Sequence, residues 1–154
     1  ATIPSSVLVG SMLLTPSHGI SALDLSSDLG EIPMLWRSRA LSPATASPMV
    51  MDNAVFVVNR AGVLTRGSLE GGRREWQLRL KGPFSASAVG FGTVQYWVNE
   101  KGLLQVVDVA QGEGAVVSQL DLGQQVLGTP SIANGGLYIR SDKTLWKIGK
   151  APIL

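Results

Sequence analysis

The chain repeats itself with a period of 40 residues, which constrains its fold more than any other feature. Ala46-Ser47-Pro48-Met49-Val50, Val55-Phe56-Val57-Val58, Gly62-Val63-Leu64, Ser68-Leu69 and Gly72 form one unit. Each has its counterpart 40 positions later: Ala86-Ser87-Ala88-Val89-Gly90, Gln95-Tyr96-Trp97-Val98, Gly102-Leu103-Leu104, Asp108-Val109 and Gly112. No gap is needed between the two. Short β-type runs separated by glycine turns at a spacing near 40 mark the blades of a propeller.

The repeat continues in both directions. Upstream, Gly19-Ile20-Ser21-Ala22-Leu23-Asp24-Leu25 precedes Trp36, which stands 40 positions before Trp76. Downstream, Thr129-Pro130-Ser131-Ile132 and Gly136-Leu137-Tyr138-Ile139 match Ser47-Pro48-Met49-Val50 and Ala54-Val55-Phe56-Val57 at a spacing of 82. The expected architecture is all-β: one propeller domain over 1–154, of about four blades of four antiparallel strands, with blade edges near 1–40, 41–81, 82–122 and 123–150. Composition agrees, because 18 glycines and 8 prolines beside 45 % hydrophobic residues describe a chain of many short strands and turns.

Within one unit each segment has a physical job. Ser47–Met51 reads as a short inner strand, where proline is tolerated at an edge. Asp52-Asn53 supplies a tight turn, since both residues accept left-handed backbone angles. Val55–Val58 is apolar without alternation, which suits a strand covered on both faces. A glycine turn leads into Val63–Leu69, and Glu75-Trp76-Gln77-Leu78-Arg79-Leu80 alternates as a half-exposed outer strand must. Val57, Leu64, Leu104, Val106, Ile139 and Trp76 are the expected core.

These residues resemble the pyrroloquinoline-quinone-like propeller repeat family, in which the outer-membrane-assembly scaffold is found. The resemblance is carried by Ser47-Pro48, Phe56, Gly62, Ser68, Gly72 and Trp76, then by Asp108 and Gly112, and it covers nearly the whole chain. The run Gly136–Gly149 resembles the last blade with which such proteins finish, which implies a C-terminal half. The third unit departs from the pattern: Val116 stands 40 positions after Trp76, and Ala88 replaces the proline.

About fourteen strands, or three and a half blades, are expected, with the last unit ending after its third strand near Ile148 and the first lacking most of an inner strand. Such a half-ring is half of a larger propeller or closes with a second copy as a homodimer, because unpaired strand edges invite pairing. A self-closed four-bladed ring is the competing arrangement.

The resemblance implies that enzymatic relatives hold a quinone and a calcium ion with a stacking tryptophan, channel acids and an arginine. The chain offers no such set. It has no cysteine and one histidine, His18, in the turn Thr15-Pro16-Ser17-His18-Gly19, and no serine stands in a nucleophile elbow. Asp24 and Asp108 share one repeat position and read as turn formers rather than a catalytic pair. Trp36, Trp76 and Trp146 read as blade packing, and Trp97 as core. No catalytic, cofactor-binding or metal-binding residue is therefore assigned, and no cofactor is expected. Arg73, Arg74, Arg79 and Lys81 form a basic edge, but a net charge of +2 is too weak for a nucleic-acid partner. No apolar run of 18 residues predicts membrane insertion, and no secretory signal is read at the start.

Compartment is open from composition; the resemblance implies an extracytoplasmic one. The expected function is a non-enzymatic scaffold for protein–protein contact, its partner another protein or a second copy. Two alternatives stand beside it: the C-terminal half of a quinone-dependent or degenerate dehydrogenase, and a fragment without independent function.

Overall fold

The structure, a computed structural model, describes residues 3–26, 30–110 and 112–149. These residues form fifteen β-strands and no helix, so none among them is a helix long and apolar enough to cross a membrane. The chain divides into two compact units, Ala1–Leu80 and Lys81–Leu154.

The first unit holds two antiparallel meanders. β1 (Val7–Val9), β2 (Met12–Pro16), β3 (Ile20–Asp24) and β4 (Met34–Ser38) pair in chain order, and so do β5 (Met49–Met51), β6 (Ala54–Val58), β7 (Val63–Ser68) and β8 (Arg74–Arg79). The second unit repeats this with β9 (Val89–Phe91), β10 (Val94–Val98), β11 (Leu103–Asp108) and β12 (Ala115–Asp121). Its other sheet has three strands among the described residues: β13 (Ser131–Ala133), β14 (Gly136–Arg140) and β15 (Leu145–Gly149).

Turn chemistry makes the repeat. The first hairpin of every sheet closes with two residues: Gly10-Ser11, Asp52-Asn53, Gly92-Thr93 and Asn134-Gly135. The first residue of each pair has a positive φ between 48° and 60°, which glycine, asparagine and aspartate adopt at least cost and which matches the right-handed strand twist. The second hairpin is held by a side chain. Asn59 Oδ1 accepts the N–H groups of Ala61 and Val63, and 40 positions on Asn99 Oδ1 accepts those of Lys101 and Leu103.

Packing follows from pattern. All five residues of β6 are buried, as a strand without polar alternation requires. In the first unit Leu14, Ile20, Leu41, Val55 and Val57 share a core with Trp36 against it; in the second, Val98, Leu104, Leu122, Val126 and Ile139 form the core, with Tyr96 and Trp146 against it. Of the six expected core residues, Val57, Leu64, Leu104, Ile139 and Trp76 are buried.

Three expectations are corrected. Val106 is half-buried rather than buried, because its face of β11 lines an open cleft, and Val107 is the buried neighbour. The first sheet does not lack its inner strand: β1 spans three residues, as do β5, β9 and β13. Val116 does not take the place of Trp76. Trp76 pairs with Arg66 beside a bulge, and in the third sheet the residue opposite Val106, beside the equivalent bulge, is Ser118. The connection explains the shift. Gly67 pairs with Arg74, seven positions on, whereas Val107 pairs with Val116, nine positions on.

Candidate functional site

Each unit carries a cleft among its described residues. The first, of about 620 Å³, is built by the segment Ile3-Pro4 before β1 and by three loops, between β2 and β3, before β5 and after β6. His18 and Arg60 are on its exposed rim, with Ser17, Ser42, Thr45 and Asn59 between apolar Pro16 and Pro43. His18 has φ 53°, and Gly19, at φ 114°, lies so close to Ser38 that a Cβ would meet its carbonyl oxygen at 2.2 Å. The loop is therefore fixed by backbone, and Arg37 donates to the Ser17 carbonyl behind it. No group of three metal-capable side chains is found around His18 or elsewhere among the described residues.

Asp24 and Asp108 occupy equivalent strand ends and serve turns. Asp108 Oδ1 accepts the Ala110 N–H at 2.9 Å; Asp24 Oδ1 accepts the Ser26 hydroxyl at 2.6 Å and the Ser26 N–H at 2.8 Å. The Ser26 hydroxyl, then the Ser26 N–H, hold the Asp24 carboxyl below its ordinary range. Since the folded value is the depressed one, the contribution to stability is present above the unfolded carboxylate range and fades as pH falls through the folded value. Replacing Ser26 by alanine should raise the Asp24 titration midpoint in a carboxyl NMR titration; an unmoved midpoint would remove this assignment.

The tryptophans take part in packing. Trp97 is 0 % exposed and donates from Nε1 to Gln95 Oε1, Trp76 tilts against Phe56 with ring centroids 5.9 Å apart, and Trp36 donates from Nε1 to the Leu69 carbonyl at 3.0 Å. Trp146 lies on β15, the third strand of its sheet, against the second unit's core. Arg73, Arg74, Arg79 and Lys81 are exposed, with Arg79 Nη1 bonded to the Ala61 carbonyl.

The second cleft differs in character. It has a volume of about 880 Å³ and runs between the sheet of β9–β12 and the sheet of β13–β15. One wall is the cross-strand row Tyr96, Val106, Ser118; the other is the row Ile132, Leu137, Ile148. Among the described lining residues none is charged, and Phe91, 71 % exposed, stands at the rim with Leu120 and Ile132. Sequence reasoning missed this site. The signal was present as the extra two residues between β11 and β12, which place a serine where Trp36 and Trp76 stand in the first two sheets.

Comparison with known proteins fixes the fold. The chain is similar to the crystal structure of BamB from Moraxella catarrhalis, with 20 % identity and a TM-score of 0.66 over 84 % of this chain and 43 % of that one. It thus spans less than half the length of that relative. It is also similar to the computationally designed Ika4 protein, with 11 % identity and a TM-score of 0.68 over 97 % of this chain and 92 % of that one. A search of curated proteins returned no match. The all-β propeller fold is shown by these likenesses and by the four antiparallel sheets. A family model described as outer membrane protein assembly factor BamB matches residues 25–113, more than half of the chain, and the chain belongs to that family.

Proposed function

We propose that the chain is a non-enzymatic propeller scaffold that works by protein–protein contact, in line with the assembly role named in its family's description. The observation that carries this is the uncharged cleft of the second unit with Phe91 exposed at its rim. Exposed aromatic side chains beside an apolar concavity are costly in water and mark interaction surfaces. The occupant is a different protein or a second copy of this chain.

The test uses the purified full chain and the apolar dye bis-ANS. Saturable fluorescence enhancement is expected, reduced several-fold by Phe91→Asp, while the midpoint of thermal unfolding stays within a degree or two because an exposed site tolerates the change. Enhancement that Phe91→Asp leaves untouched would overturn the reading. Light scattering then separates the partners, since twice the mass of one chain identifies a second copy and the single mass identifies a different protein. The dehydrogenase alternative predicts saturable uptake of pyrroloquinoline quinone with calcium; under the scaffold reading none is expected.

A further inference from the structure

The rows that line the gaps between sheets allow a comparison inside the chain itself. In the first sheet the cross-strand row is Leu14, Ala22, Trp36, and it faces the second sheet. There the indole closes the gap: its ring lies over Gly72, where a Cβ would stand 2.5 Å from ring carbons, and its Nε1 bonds to the Leu69 carbonyl. Leu41 fills the same gap against Gly67. In the second sheet the row is Phe56, Arg66, Trp76. In the third it is Tyr96, Val106, Ser118, at the same side of the same bulge. An 82-residue spacing carries Trp36 to Ser118. A bulky filler is thus replaced by one of the smallest residues, and the cleft of about 880 Å³ stands on the Ser118 side.

From this we infer that the cleft receives an aromatic side chain, tryptophan above all, carried by an uncharged segment of a partner protein. The inference rests on the scaffold reading and names its ligand. A volume of this size holds more than one side chain, within the range of ordinary ligand pockets of roughly 300–1,000 Å³, so the aromatic group enters with its flanking residues. Charge selects against alternatives. With no charged group among the described lining residues, a lysine, arginine or carboxylate would be desolvated without a partner. An indole loses little by leaving water, and its N–H has acceptors within the cleft in the Ser118 hydroxyl and Gln119.

The experiment is an amide NMR titration of the full chain with N-acetyl-tryptophanamide, N-acetyl-leucinamide and N-acetyl-argininamide. Saturable shifts confined to Gly90, Phe91, Leu120 and Ile148 are expected, with the tryptophan amide bound at least about tenfold more tightly than the others, a difference near 1.4 kcal/mol. Ser118→Trp should fill the cleft in cis, abolish the shifts and raise the thermal midpoint. Ser118→Leu is the second variant, and it should weaken binding several-fold even if the larger ring is not accepted.

Equal binding of all three amides, with bis-ANS still responding to Phe91, would overturn the aromatic preference and leave the scaffold reading intact. Loss of bis-ANS binding as well would remove both. Cross-peaks from residues 150–154 to Phe91 or Ile148 in the free protein would assign the cleft to the chain's own end and overturn the proposal. Shifts of the same amides with protein concentration alone would assign it to a second copy, with the same consequence.

Discussion

Replacing Leu64 by alanine should lower the unfolding free energy by about 2–5 kcal/mol, while Val106→Ala should cost about 1 kcal/mol or less. Both residues belong to the third strand of a sheet, and both were expected to be core. Leu64 is fully buried, paired with Val58 on one side and Leu78 on the other, so its removal leaves a cavity that two paired strands cannot collapse. Val106 faces the open cleft, where water already reaches part of its surface and little new cavity is made. A loss of the first size is a large share of the 5–15 kcal/mol that holds a typical domain folded. Urea unfolding of the two variants at equal protein concentration reads the difference. Equal losses would mean that the cleft is closed in solution and would remove the basis of the binding proposals.

The contrast shows what the sequence conveyed and what it withheld. Turns were legible because their chemistry is local: Asp52-Asn53 and Asn134-Gly135 need left-handed angles, and Asn59 and Asn99 each bond to backbone two and four residues on. Strand β6 was legible because a run without polar alternation has no face to give to water. Register across β11 and β12 was legible only in part. It depends on a bulge and on a connection lengthened by two residues, and a fixed 40-residue count carries Trp76 to Val116 instead of Ser118. Exposure of Val106 was hidden for the same reason, since whether a strand face is covered is decided by the neighbouring sheet. The cleft itself is a property of two sheets, and neither sheet's sequence alone announces it. The loop cleft around His18 and Arg60 was half legible, because the turn was read and the approach of the Ser42–Thr45 and Asn59–Ala61 segments was not.

The largest single effect at a half-buried side chain should come from the seat of Trp36. Trp36→Ala should destabilise the chain by about 3 kcal/mol, the low end for loss of a packed indole because the ring is only half-buried. Gly72→Val attacks the same contact from the other side. Gly72 has φ 63°, a region a β-branched residue adopts only under strain, and its added carbons would enter the space of the ring. A loss of about 2–4 kcal/mol is expected from strain and overpacking together. Trp36→Phe keeps a ring over Gly72 and loses only the bond to the Leu69 carbonyl, so it should cost about 1 kcal/mol. These three values order the contributions of ring, seat and hydrogen bond. A further outcome links this gap to the one beside Ser118: Trp36→Ala should acquire millimolar indole binding that raises its thermal midpoint, because the deletion turns a sealed gap into an open one. If Trp36→Ala is as stable as the parent and indole does not bind, the tryptophan is a bystander in its gap. Ser118 would then carry no meaning as its replacement.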